Sequence, residues 1–159
     1  MNHPNQDVDG DLNKHDLEAH RLSVLLRNAY FAVRRRSNAH CNEFDCNGDQ
    51  FVILSVLSER EGVTQQDLVE RSGYDPATTG KMLRLLEKRG LVERNAHPTD
   101  GRAKHVTLTD EGRNTWQKLW TSTASIRDAL WNCMTDTERP VMTRILEQIA
   151  NRMQSDSPK

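Results

Sequence analysis

The feature that most limits what this chain can fold into is a pair of strong helix starts eleven residues apart. Thr64-Gln65-Gln66-Asp67 has the form of a capping box, in which the threonine hydroxyl and the acid three positions on satisfy amide hydrogens that lack partners inside the helix. Asp75-Pro76 is the second start, because aspartate caps free amides and proline, lacking an amide hydrogen, fits the first helical position. Gly73 suits the left-handed residue that closes the first helix, and Gly90 stops the second. Next, Leu91-Val92-Glu93-Arg94 and His105-Val106-Thr107-Leu108 alternate apolar with polar residues around a turn containing Pro98, Asp100 and Gly101, the pattern of a β-hairpin. Two short capped helices followed by a hairpin read as a helix-turn-helix with a wing, which presents its second helix outward.

The flanks read as helices. Leu22, Leu25, Leu26, Ala29 and Val33 recur at helical spacing among arginines, so a long amphipathic helix is expected over about residues 14–39, with 40–49 as a loop. Phe51, Leu54 and Leu57, with Val52, Ile53 and Val56 alongside, make a helix apolar enough to belong at the centre of the fold. Trp116, Leu119, Trp120, Ile126 and Leu130 predict one helix from about Thr109 to Trp131, and Pro140, tolerated only in a first turn, sets the last helix start near 135–137. The expected fold class is mainly α: a winged helix-turn-helix over about 48–109 with a small β-hairpin wing, flanked by N- and C-terminal dimerisation helices at 14–39 and 110–153. Residues 1–13 read as a flexible arm and 154–159 as a flexible tail, so 14–153 form a single unit.

Composition excludes more than it assigns. A net charge of −1 neither supports nor opposes nucleic acid, but residues 76–113 carry eight cations against five anions. There is no secretory-signal pattern at the N-terminus, and no apolar run reaches the roughly 18 residues of a membrane span. Three cysteines are too few for a disulfide framework, so a reducing cytoplasm is the expected setting. Phosphate-binding glycine loops, nucleophile elbows and zinc-hydrolase histidine pairs are missing, so no enzymatic activity, cofactor or metal is expected. On the second helix Leu83 and Leu86 face inward, while Ala77, Thr78, Gly80, Lys81 and Arg84 are expected outside as DNA-binding residues. The small residues there would let helix-end amides approach phosphates, and Lys81 and Arg84 supply charge one turn later.

Several segments together resemble a known family. Gln50-Phe51 with Leu54 and Leu57, Thr64-Gln65-Gln66-Asp67-Leu68, Leu86-Glu87-Lys88-Arg89-Gly90-Leu91-Val92-Glu93-Arg94, Asp100-Gly101-Arg102 and Val106-Thr107-Leu108-Thr109-Asp110-Glu111-Gly112-Arg113 look like the MarR (multiple antibiotic resistance regulator) family. The resemblance spans residues 17–153 and implies a homodimeric transcription regulator with one recognition helix in each major groove of a pseudo-palindromic double-stranded DNA operator. It makes Arg102 the wing-tip residue, oriented by Asp100, in a flanking minor groove, and Lys104 follows on the same hairpin. It also implies a pocket for phenolic or lipophilic anions between the dimer helices and the DNA-binding lobe, for which Tyr30, Arg34, Trp116 and Trp120 are the candidates. The expected function is repression released by such an effector.

Two rivals remain at this level. Cys41 and Cys46, beside His40, Arg35 and Arg36, would make a thiol-based redox sensor if those cations favoured the thiolate. A winged-helix protein-interaction module without DNA binding would share the same helices and hairpin.

Overall fold

The computed structural model describes residues 13–60, 62–96 and 104–155. In chain order it runs α1 (Lys14–Cys41), a 3-10 turn (Asn42–Phe44), α2 (Gly48–Glu59), β1 (Val63–Thr64), α3 (Gln65–Ser72), α4 (Pro76–Lys88), β2 (Val92–Ala96), β3 (Lys104–Leu108), α5 (Asp110–Ser122), α6 (Ala124–Asn132) and α7 (Glu138–Ser155). Among the described residues no helix is long and apolar enough to cross a membrane.

The helix starts work as their sequences require. Thr64 accepts the amide of Asp67 while Asp67 accepts the amide of Thr64, and Gly73, at φ 74°, closes α3 with its amide on the Val69 carbonyl. Asp75 accepts the amide of Thr78 at the head of α4. A capping box that the sequence reading placed inside a loop starts α2 early: Asn47 and Gln50 exchange side-chain and backbone bonds, so the helix begins at Gly48.

The wing is a three-stranded antiparallel sheet in the order β1-β3-β2, with Val63 opposite Val106 and Val92 opposite Leu108. The two-residue β1 is too short for any alternation to reveal it in the sequence. Val63, Val92, Val106 and Leu108 turn inward onto Ile53, Leu54 and Leu57 of α2, Leu68 of α3 and Leu83 and Leu86 of α4, which together form the core. Burying such a side chain contributes about 1.5–3 kcal/mol, so this core fixes the helix-turn-helix against the wing.

The expected single helix from Thr109 to Trp131 is broken at Thr123. The Thr123 hydroxyl donates to the Leu119 carbonyl at 2.7 Å, and Arg127 donates to the Trp120 carbonyl at 2.6 Å and to the Thr123 hydroxyl at 2.9 Å. Side chains that take up backbone carbonyls in this way bend or interrupt a helix. Beyond the break the chain finds little to pack on. Among the residues of α7 whose side chains are described none is buried, and Val141, Met142, Ile145, Leu146 and Met153 are exposed, as are Leu17, Leu22, Leu25 and Phe31 of α1.

The start of α5 is locked to the end of the recognition helix. Thr109 donates its hydroxyl to the Gly90 carbonyl and its amide to the Leu91 carbonyl, and a Cβ on Gly112 would lie 1.9 Å from that same Leu91 oxygen. Gly112→Ala gains about 1 kcal/mol of helix propensity. It forces a backbone shift that costs on the order of 1–3 kcal/mol or more, because the obstructing atom is a carbonyl that cannot rotate away. Urea denaturation should therefore find the variant less stable than wild type; equal or higher stability would show that α5 can back away from Leu91.

Candidate nucleic-acid interface and effector site

On α4, Ala77, Thr78, Lys81, Arg84, Leu85 and Lys88 are exposed and fall on one stripe at helical spacing, while Thr79, Met82, Leu83 and Leu86 are buried beneath it. Four of the five residues expected outside on this helix are there. Gly80 is not: it is buried at the crossing of α3 and α4, where a Cβ would sit 3.4 Å from the Gln65 amide nitrogen and 3.7 Å from the Arg84 guanidinium. Both are ordinary contacts to the ends of flexible side chains, so an alanine would fit there.

The head of α4 also differs from expectation. Asp75 accepts the Thr78 amide at 2.8 Å and the Thr78 hydroxyl at 2.6 Å, and its backbone carbonyl takes the Thr79 amide at 2.9 Å. Pro76 has no amide hydrogen to offer. The first-turn donors are thus used internally beside a fixed negative charge, which removes the helix end as a cradle for phosphate. Positive charge on this face comes from Lys81, Arg84 and Lys88.

Among the described residues, three cations counted in the basic segment are committed elsewhere, one being Arg113, which pairs with Asp110 at 3.5 Å. Arg94 pairs with Glu87 at 3.3 Å. Arg89, which caps the C-terminus of α4, donates to the carbonyls of Asp45 at 2.5 Å and Phe44 at 3.2 Å and reaches the Cys46 sulfur at 3.3 Å. Arg102 and Asp100 lie outside the described residues, and Lys104 is placed by its backbone opposite Ala96 at the start of β3.

The four candidate effector residues fall into two groups. Tyr30 and Arg34 project from α1, and the Arg34 guanidinium donates to Asp49 at 2.7 and 3.3 Å. Asp49 also accepts the Tyr74 hydroxyl at 2.9 Å, so α1, α2 and the turn between α3 and α4 meet on one carboxylate. The Arg34 guanidinium and then the Tyr74 hydroxyl hold Asp49 below the usual carboxylate range, against the opposing effect of its partial burial. Burial first and the Asp49 contact second push the Tyr74 hydroxyl well above its ordinary value.

Trp116 and Trp120 belong to the second group, with ring centroids 5.7 Å apart. Trp116 donates its indole N–H to Ser55, Trp120 lies 6.5 Å from Phe51, and the Arg127 guanidinium stacks 3.7 Å from the Trp120 ring centroid. Asp49, Tyr74 and Arg89 escaped the sequence reading because each matters through a partner far along the chain, whereas Arg127, whose partners Thr123 and Trp120 lie four and seven residues back, was missed at short range.

The cation that the structure shows at these thiols is Arg89, 3.3 Å from the Cys46 sulfur. Cys41 and Cys46 are 0% and 2% exposed, and burial, with Cys46 adding to it, pushes the Cys41 thiol up to about 11. A neutral buried thiol is a poor peroxide target, which weighs against a thiolate at Cys41.

Known proteins were compared with this arrangement. The MarR family model matches residues 47–104. The transcriptional regulator HosA of Escherichia coli O111:H- is 32% identical over 95 residues, covering 56% of this chain and 70% of HosA. The chain is a member of the MarR family. Among solved MarR-family structures, CouR from Rhodococcus jostii RHA1 bound to p-coumaroyl-CoA superposes with a TM-score of 0.76 at 26% identity, over 81% of this chain and 91% of CouR. CouR bound to a 23-mer DNA duplex gives a TM-score of 0.72 at 26% identity, over 87% of this chain and 98% of that one. MarR-family membership makes the chain a transcriptional regulator, and its helix-turn-helix and wing are the family's winged-helix fold.

The carboxylates that pin these elements give the fold an acid sensitivity of known sign. Asp49, Asp67 and Asp75 are all held below the usual range, the latter two by Thr64 and Thr78. A depressed folded-state value means that the unfolded chain binds protons more readily. The stability is therefore whole above the unfolded value near about pH 4 and drains away as pH falls through the folded values. Urea midpoints should drop between pH 5 and pH 2.5, and Asp49→Asn should show a shallower drop; identical pH profiles would remove the Arg34–Asp49–Tyr74 chain from this sensitivity.

Proposed function

We propose that this chain is a cytoplasmic repressor that binds a pseudo-palindromic duplex as a homodimer and is released by a small lipophilic or phenolic acid. The observation that carries the reading is the outer face of α4, where Ala77, Thr78, Lys81, Arg84 and Lys88 stand exposed on one stripe beside the wing. That is the composition of a groove-facing helix: small residues for close approach at one end, and cations for phosphates and base edges along the rest. Arg102 of the wing would add a minor-groove contact, with Asp100 orienting it and Lys104 beside it.

The homodimer follows from the uncovered apolar residues of α1 and α7. Faces of that kind usually close interfaces above about 2,000 Å². Half-sites then lie roughly one turn, about 34 Å, apart, and the dimer sets whether both recognition helices can engage. The likeness to CouR, whose structures hold a 23-mer DNA duplex and p-coumaroyl-CoA, a phenolic thioester, supports a phenolic effector for this regulator as well. Oxidation is the weaker route, since Cys41 at the end of α1 and Cys46 in the loop before α2 are both buried.

Two measurements test the proposal. Duplex affinity, measured on fragments selected from genomic DNA, should fall steeply with salt. Lys81→Ala and Arg102→Ala should each lower the slope by about two, one phosphate contact per half-site. A wild-type slope near zero would instead identify a protein-interaction module. Sedimentation at micromolar concentration should show dimers, and a folded monomer there would sink the assembly.

A further inference from the structure

Asn47-Gly48 is the one Asn-Gly pair in the sequence. Asparagine amides are chemically labile, and a following glycine makes them most so, because no Cβ shields its backbone nitrogen from the asparagine Cγ. Once deprotonated, that nitrogen bonds to Cγ, the bond from Cγ to the side-chain nitrogen breaks, and ammonia leaves behind a five-membered succinimide. Water then opens the ring at one carbonyl or the other, giving aspartate or isoaspartate. No oxidant or reductant takes part.

The fold holds each group that this reaction has to move. The Gly48 amide, which carries the attacking nitrogen, donates to Asn38 Oδ1 of α1 at 2.7 Å. Asn47 Oδ1 accepts the Gln50 amide at 2.8 Å and the Asn47 amide donates to Gln50 Oε1 at 3.0 Å, so the capping box fixes the side chain that would be attacked. Asn47 is nevertheless exposed, and water reaches it. A larger residue in place of the glycine would quiet the pair, but its Cβ would stand 3.1 Å from both Asn38 Oδ1 and Ser37 Cβ, so α1 would have to give way. The close seating of α1 on α2 both favours the labile pair and restrains it.

We propose that Asn47 is a site of spontaneous deamidation gated by Asn38: it stays an amide while α1 is seated on α2 and converts when that contact opens. The two products differ in consequence. Aspartate keeps an acceptor oxygen at the cap of α2 and suits a helix N-terminus. Isoaspartate adds a methylene to the main chain between residues 47 and 48, which shifts the Phe44 and Asp45 carbonyls, the hold on Arg89 at the end of α4, relative to α2. With ammonia lost the conversion does not reverse, so it marks every molecule in which α1 has come away.

The test is incubation of the full-length protein at mildly alkaline pH, folded and in concentrated urea, followed by peptide mass spectrometry that counts the amide-to-acid change at residue 47 and separates the two products. Wild type should convert at least ten-fold faster in urea than when folded. Folded Asn38→Ala, which loses the acceptor, should convert at least five-fold faster than folded wild type. Asn38→Asp, which restores an acceptor to the Gly48 amide, should stay within two-fold of wild type, a rescue that general loosening of α1 would not give. The isoaspartate fraction of wild type should unfold at lower urea than Asn47→Asp protein. Equal rates for folded and unfolded wild type, an Asn38→Ala rate no higher than wild type, or an Asn38→Asp rate matching that of Asn38→Ala each overturns the proposal. An isoaspartate fraction as stable as Asn47→Asp overturns its effect on the hold of Arg89. Should Asn38→Ala fail to fold by circular dichroism, Asn38→Leu, close in size but without an acceptor, takes its place.

Discussion

The recognition helix is held at both ends by one short connector. Residues 44–49, which lead from the 3-10 turn into the first turn of α2, supply Asp49 to the Tyr74 hydroxyl just before α4 begins. They also supply the Phe44 and Asp45 carbonyls and the Cys46 sulfur to Arg89 where α4 ends. Apolar packing of Leu83 and Leu86 holds the helix onto the core but is not directional, whereas these hydrogen bonds fix its angle. Because Arg34 draws the same connector onto α1, the orientation of the DNA-facing helix is tied to the helix that carries exposed apolar residues for a second subunit. A shift at either place is therefore felt at the other.

The same economy appears at the other junction. Thr109, Gly90 and Leu91 join the end of α4 to α5 through two hydrogen bonds and the close approach at Gly112. From there α5 runs out to the Thr123 break, where Arg127 both satisfies the Trp120 carbonyl and covers the Trp120 ring. The break redirects the chain into α6 and α7, whose apolar side chains stay exposed. A straight helix through 109–131 would carry the chain in a different direction, so Thr123 and Arg127 shape the surface left for a partner.

What the sequence made legible was whatever is decided within about four residues. The Thr64–Asp67 box, the Asp75-Pro76 start and the Gly73 stop are local chemistry and stand where expected. The inward turn of Leu83 and Leu86 follows from spacing alone. The Asn47–Gln50 box is equally local and was missed because Asn47-Gly48-Asp49 reads first as a turn. Gly80 was misplaced because a glycine carries no polarity to mark its face, and only the crossing of α3 with α4 decides it. Asp49, Tyr74 and Arg89 find partners 15 to 45 residues away, and no periodicity carries information of that range. The buried state of Cys41 is of the same kind, since its flanking arginines suggested a charged surround and the core supplied a dry one.

Release of an operator by an effector needs a change no larger than one bond at the head of α4. To weaken operator binding 100-fold, an effector must favour the non-binding arrangement by about 2.7 kcal/mol, within the ordinary span of coupling between sites. A hydrogen bond to a charged group contributes about 1.5–3 kcal/mol net, and Tyr74 makes one such bond to Asp49. Losing it in each subunit of a dimer would reach the required magnitude without any change in the core. A lost core contact would serve less well, because a cavity there costs stability in the DNA-bound and DNA-free forms alike and so discriminates poorly between them. The Asp49–Tyr74 bond lies on a half-exposed ion pair, outside the packed core, so its loss would leave Leu83 and Leu86 buried.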